Sequence, residues 1–171
     1  GISFCIEPHE AWFVTLPPDR EQTLKALEPF LPILQNTDIR KVGQNLKYDV
    51  SVLKWQGIEV KGELLDTMLA HYLIDPDQRH NMDHMAEALL GYSPVPITAL
   101  IGEKKSTQKT LREVDTDELC EYGAEDADIT LQLWLKLKPM LKERGQERVF
   151  YEIETPLLPV LAEMEYNGIN L

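Results

Sequence analysis

The sequence predicts an α/β or α+β domain with its strands near the N-terminus and its helices after them. Three observations predict it. Residues 1–17, GISFCIEPHEAWFVTLP, alternate apolar and polar side chains around a turn-forming EPHE. A short run at Lys41 and Val42 stops at Gly43. From about residue 46 onward, apolar residues recur three and four apart.

In the first segment Ile2, Phe4 and Ile6 alternate and AWFVTL returns, which makes a hairpin ended by Pro17, Pro18 and Asp19. REQTLKALEPFLPILQN then places Leu24, Leu27, Phe30, Leu31 and Leu34 at helical spacing. Pro29 and Pro32 make that helix short or kinked. After the brief strand at Lys41 and Val42, a helix carries Tyr48, Val50, Val52, Leu53 and Trp55, and Gly57 closes it. ELLDTMLAHYLI predicts a helix with a strong apolar face, and NMDHMAEALLGYS another, ended by Gly91. Residues 93–113 read as loop, with Pro94, Pro96, Gly102 and a basic cluster of Lys104, Lys105, Lys109 and Arg112. Asp115 or Thr116 caps the next helix, with Glu118 placed for a capping box from Asp115. That helix runs to about Leu141, and FYEIETPLLPVLAEMEYNG forms a last one. Two or three strands make a thin sheet for so many helices.

The 171 residues are 43% hydrophobic and carry a net charge of -12. Such acidity disfavours gripping duplex DNA through its phosphates. It leaves room for a protein that uses bound cations against an acidic substrate. No run approaches the roughly 18 apolar residues of a membrane span, and the start is not a signal peptide, so no membrane partner and a cytoplasmic location are expected. Cys5 and Cys120 lack CxxC spacing, which argues against a disulfide framework or zinc site and fits a reducing compartment.

Two stretches carry candidate chemistry. In CEYGAEDADITLQLW, residues 120–134, Tyr122 and Asp126 are four apart and share a helix face. A carboxylate and a phenol one turn apart can hold a metal-bound water between them, and Mg2+ needs few protein ligands. By spacing alone, a surface helix with an amphipathic tyrosine is the better reading. Glu125 and Asp128 turn away from Asp126 by roughly 100° and 200° and read as solvent-facing. In GQNLKYD, residues 43–49, Gly43 permits a sharp turn, Asn45 is a helix cap, and Asp49 falls one turn into the helix. Asp49 is the natural partner for Asp126, although alone it reads as a charge complementing the helix dipole. His9, His71, His80 and His84 are scattered; His80 and His84 lie four apart on a predicted helix without the acids a zinc site wants. Trp12, Trp55 and Trp134 read as core or semi-buried.

Taken together, VGQNLKYDVSVL, DTMLAHYLID, RHNMDHMAEALL and YGAEDADITLQLW resemble, in order and spacing, the proofreading 3'-5' exonuclease domain of bacterial DNA polymerase I, a family A polymerase. GQNLKYD and YGAEDAD look like the second and third motifs of the DEDDy exonuclease class. The resemblance implies an RNase H-like mixed sheet of five strands with flanking helices. It implies two divalent ions, Mg2+ or Mn2+, about 3.5–4 Å apart on the terminal phosphodiester. Asp126 would be a direct metal ligand, Asp49 a ligand of the second ion mostly through water, and Tyr122 the residue that orients the attacking hydroxide. Gln44, Asn45 and Tyr48 look like contacts for the frayed single-stranded DNA 3' end, and Arg79 for its backbone. Residues 1–147 would form the exonuclease domain, and 148–171 a linker and the first helix of a polymerase domain in the same parent chain.

One departure from the family pattern stands out. The family's first motif, D-x-E, sits on a central strand just before the GISF hairpin, and residues 1–18 contain no D-x-E. The expectation is a chain lacking that strand, with two of four acidic ligands, weak metal binding and poor or absent cutting. Its unpaired strand edges would favour a dimer. The competing expectation is a non-catalytic RNase H-like scaffold that supports a polymerase and binds single-stranded DNA.

Overall fold

A computed structural model describes residues 1–103 and 107–168. Lys104 and Lys105 of the predicted basic cluster lie outside the described residues. The chain gathers into two compact units, residues 1–16 with 81–133 and residues 17–80 with 134–171. Among the described residues the four strands form two two-stranded sheets, one in each unit.

In the first unit, β1 (Ile2–Glu7) and β2 (Glu10–Val14) form the expected antiparallel hairpin, Ile2 opposite Val14 and Phe4 opposite Trp12. His9 turns the chain with φ 70, a left-handed conformation tolerated in tight turns. The first 18 residues of the helix Thr116–Glu143 also belong here. Phe13 packs against that helix at Gly123, where a Cβ would sit 2.4 Å from the ring. Ile129, Leu133 and Met85 are buried. Asp115 caps the helix start by accepting from the Asp117 N–H at 2.9 Å. The observed capping box belongs instead to Thr110 and Glu113, on a 3-10 turn, Leu111–Glu113.

The second unit contains α1 (Arg20–Leu27), a 3-10 turn Glu28–Phe30 and α2 (Leu31–Leu34), so the prolines divide the predicted helix as expected. β3 (Lys41–Gly43) leads into α3 (Leu46–Trp55), and β4 (Leu64–Asp66) returns parallel to β3. The Lys41 ammonium donates to the carbonyls of Asn36, Ile39 and Lys61, tying the loops that flank this pair. α4 (Thr67–Ile74) follows. After α5 (Met82–Met85), α6 (Ile97–Ile101) and the long helix, now α7 (Thr116–Glu143), the chain re-enters this unit. α8 (Glu147–Val149), a π-helical turn Phe150–Glu154 and α9 (Thr155–Asn167) complete it. Leu46 and Val50 of α3, Leu64 of β4, and Leu158 and Ala162 of α9 form one buried cluster. Trp134 and Phe150 pack with ring centroids 5.6 Å apart.

Several expectations need correction. ELLDTMLAHYLI is not one helix: Leu64–Asp66 is strand and the helix starts at Thr67. Leu64 and Leu65 are buried, and a buried parallel strand reads as an apolar run without alternation, so periodicity cannot tell it from a helix. Residues 93–113 are not all loop; Pro96 precedes a short helix that ends at Gly102, φ 92. Five residues are too few to show a helical period. His80 precedes α5 and shares no helix with His84. Trp134 is buried as expected, but Trp12 and Trp55 are 50% and 58% exposed. No helix among the described residues is long and apolar enough to cross a membrane.

Candidate active site

The acids of YGAEDAD take three separate roles in the first unit. Glu125 accepts from the Tyr92 hydroxyl at 2.5 Å and from the Val95 N–H at 3.1 Å, anchoring the segment before α6. Asp128 accepts from the His9 N–H at 2.7 Å and from Gln132 at 2.8 Å, fixing the tip of the hairpin to α7. Neither simply faces solvent, which corrects the angular argument: the hairpin and the 92–95 segment pack onto faces that the helix alone leaves open. Asp126 differs. The Tyr122 phenol interacts with its carboxylate from one helical turn away, while its Oδ1 is buried without any hydrogen-bond partner.

Burial pushes the Asp126 carboxyl up to about 6; the Tyr122 bond opposes this, and the charges of Glu125 and Asp83 add to it. Burial and the Asp126 charge raise the Tyr122 phenol as well, so it keeps its proton near neutrality and acts as a donor. A buried acceptor without a partner costs free energy, and a cation would relieve it. A cleft of about 330 Å³ opens beside Tyr122, lined in part by Val95, Leu100, Glu118 and Glu121.

The second cluster surrounds the start of α3. β3 and β4 end together, with Gly43 opposite Asp66. The chain then turns through Asn45 at φ 56, and the Asn45 side chain makes no capping bond. This corrects its expected role. Asp66 does the capping from β4: its Oδ1 accepts from the Asn45 N–H at 3.1 Å and its Oδ2 from the Leu46 N–H at 2.7 Å. Asp49 lies in the first turn of α3 and is exposed. Partial desolvation by neighbouring protein, followed by the Asp66 charge, pushes its carboxyl up to about 6.

The DNA-contact candidates divide. Tyr48 is 62% exposed, and Asn45 and Arg79 are exposed too. Gln44 is occupied: its amide donates to the His80 carbonyl at 2.8 Å and bonds the Thr67 hydroxyl. The His80 ring is held by His71, Nδ1 to Nδ1 at 2.8 Å. Sequence reasoning missed both Asp66 and this network. For Asp66 the signal was present, since an aspartate directly before a helical run is a preferred N-cap residue. It was hidden by reading the preceding leucines as helix.

Carboxylate oxygens suit a hard divalent cation, and the orphaned Asp126 Oδ1 is an open ligand for one. Among the described residues, no group of three or more His, Cys, Asp or Glu side chains can hold a metal ion. The residues fit Mg2+ only in the manner in which it takes one or two carboxylates and completes its shell with water and substrate phosphate.

Comparison with known proteins bears on both clusters. The 3'-5' exonuclease family model matches residues 1–142. DNA polymerase I of Rhizobium leguminosarum is 44% identical over 147 residues, which are 85% of this chain and 14% of that protein. DNA polymerase I of Pseudomonas aeruginosa is 37% identical over 184 residues, 98% of this chain and 19% of that protein. The chain thus spans less than a fifth of the length of these relatives. Among solved structures, Pol1 of M. smegmatis in complex with DNA primer-template and dNTP matches with TM-score 0.65 at 23% identity, over 92% of this chain and 23% of that one. Brucella melitensis NrnC, solved with pGG and with bound Mg2+, matches with TM-score 0.66 at 21% identity, over 81% of this chain and 64% of that one. These likenesses show the mixed α/β, mostly helical fold of RNase H-like exonucleases. The chain belongs to the 3'-5' exonuclease family and is homologous to the exonuclease region of bacterial DNA polymerase I.

Proposed function

We propose that this chain carries the 3'-5' exonuclease elements of a DNA polymerase I and acts on the 3' end of single-stranded or frayed DNA. The observation that carries the reading is the Tyr122–Asp126 pair, a protonated phenol one helical turn from a carboxylate whose Oδ1 is buried and unpartnered. In this reading Asp126 and Asp49 are the metal-binding carboxylates, and Tyr122 orients the attacking water. Mg2+ or Mn2+, when bound, supplies charge for the phosphodiester and lowers the pKa of water. The water oxygen bonds to the terminal phosphorus as the P–O3' bond breaks. The shortened strand keeps a 3'-hydroxyl and a nucleoside 5'-monophosphate leaves. Asn45, Tyr48 and Arg79 offer exposed donors and a ring face to the single strand, and base stacking on tyrosine tolerates any sequence. The NrnC structures with Mg2+ and with pGG support this class of ligand.

With Asp49 and Asp126 as the only motif carboxylates, the chain by itself is expected to hold metal weakly and to cut slowly. The second reading is the non-catalytic scaffold that binds single-stranded DNA. It draws support from the absence, among the described residues, of a three-ligand metal group. The same exonuclease family and polymerase relatives make a polymerase domain the natural partner in either reading.

A digestion ladder separates the two. Single-stranded DNA labelled at its 5' end is incubated with Mg2+ or Mn2+ and three proteins: this chain, the chain extended N-terminally by a strand bearing D-x-E, and the extended chain with Asp126→Ala. A ladder from the unsubstituted extended chain alone supports the exonuclease reading. No ladder from either unsubstituted form, with oligonucleotide binding retained, supports the scaffold.

A further inference from the structure

Asp66 is 4% exposed and pairs with no lysine or arginine among the described residues. Such a carboxylate is costly unless its oxygens are fully hydrogen-bonded. They are, and entirely by backbone N–H groups from two different elements. The Met68 N–H donates to Oδ1 at 2.8 Å, which is the ordinary N-cap of α4. The Asn45 and Leu46 N–H groups donate at 3.1 and 2.7 Å across the β3–β4 pair. One side chain therefore closes the start of its own helix and the start of the helix that carries Tyr48 and Asp49.

The second function is not available from α3 itself. Asn45, at the N-cap position, is in the left-handed conformation and its side chain caps nothing. That conformation is uncommon for a residue with a Cβ, and persists where surrounding structure holds it. The observed hold is Asp66. The first intrahelical bond, from the Tyr48 N–H to the Asn45 carbonyl at 3.0 Å, is built directly on the residue so fixed. Asp49 is the next residue. Its direction depends on where α3 begins, because each residue moved along a helix turns a side chain by about 100°.

We propose that Asp66 is a positioning residue of the nuclease site, fixing the register and direction of α3 so that Tyr48 and Asp49 present their side chains toward metal and strand. This rests on the reading of Asp49 as a metal-binding carboxylate. Its alternative is that Asp66 is a structural cap of α4 and nothing more.

The two roles can be taken apart. Asp66→Ser keeps a hydroxyl that caps Met68 but is too short to reach Asn45 and Leu46. Asp66→Asn keeps the length and removes the charge, and serves if the serine variant does not fold. Two measurements are made by NMR on the intact chain. The first is amide exchange at Tyr48, Asp49 and Val50 compared with the middle of α7. The second is the broadening of Tyr48 and Asp49 signals by Mn2+ alone, added in increments.

The expected result is exchange at Tyr48 to Val50 accelerated at least about tenfold relative to α7. The Mn2+ concentration for half-maximal broadening at Asp49 should rise by a similar factor. If exchange in α3 follows α7 without local change, Asp66 does not hold α3 and the proposal is overturned. If exchange rises locally but Mn2+ broadening is unaltered, Asp66 is a cap without a role at the site, and the proposal is again overturned. If Mn2+ leaves Asp49 untouched in the unsubstituted chain, the metal-binding reading of Asp49 fails. The exchange ratio alone then decides whether Asp66 positions α3.

Discussion

Replacing Asp126 by asparagine should make the protein more stable near neutral pH, at the expense of the candidate site. The carboxyl is raised from the usual 3.8 to about 6, chiefly by burial. The sign follows from linkage. A carboxyl whose folded pKa lies above its unfolded one favours the folded state when protonated. That stability is complete below about pH 3.8 and is lost as pH rises through about 6. Above that range the ionised group is a cost. A difference of roughly two pH units at about 1.36 kcal/mol each sets an upper limit near 3 kcal/mol. The group is partly open to solvent, and screening reduces the cost to about 1–2 kcal/mol. Asparagine keeps the shape and an acceptor oxygen beside Tyr122, but carries no charge. Asp126→Asn should therefore gain about 1–2 kcal/mol in urea unfolding near pH 7.5, or roughly 2–8 °C in melting temperature at ~2–4 °C per kcal/mol. Near pH 3.5 the gain should vanish. Added Mg2+ should stabilise the parent and not the variant, since a ligand stabilises only the state that binds it. A variant less stable than its parent at pH 7.5, or a gain that ignores pH, would refute the argument that burial of an uncompensated charge defines this position.

Three further outcomes follow from the packing. Leu158→Ala should lose about 2–5 kcal/mol in urea unfolding, because Leu158 is buried against Leu46, Val50 and Leu64; a loss under 1 kcal/mol would show that α9 is not part of that core. Gly123→Ala should cost about 1–3 kcal/mol, since its Cβ would lie 2.4 Å from the Phe13 ring. Combining it with Phe13→Leu should return part of that loss, and strict additivity of the two would count against the contact. Among the described residues each sheet has two strands, and such sheets offer edges for further pairing, so sedimentation at rising concentration should show a dimer. A monomer at every concentration would mean that these edges are covered.

Much of the site's chemistry was legible in the sequence, and little of its support. Tyr122 and Asp126 are four apart on a helix, and that spacing alone fixes a shared face. The structure carries both on α7, Thr116–Glu143. Which acid of YGAEDAD lacks a partner was not legible, because the partners lie far off in sequence: Tyr92 and Val95 for Glu125, and His9 for Asp128. The same holds for GQNLKYD. Its residues predict the turn and the helix, yet the cap is not Asn45 but Asp66, 20 residues from Leu46.

The sequence by itself determined the hairpin, the broken first helix, the turn at Gly43, the long acidic helix and the family resemblance. These depend on alternation, on proline and glycine backbone limits, and on helical spacing, all of which act between near neighbours. Only the tertiary structure decided that Leu64–Asp66 is a strand, that Gln44 is bound to Thr67 and His80, that Asp66 holds the start of α3, and that of the acids in YGAEDAD it is Asp126 that keeps a buried oxygen without a partner. The physical reason is common to all four. Each depends on which backbone and side-chain polar groups meet after the chain has closed on itself. A buried polar group must find its partner wherever the fold brings one, however distant in sequence.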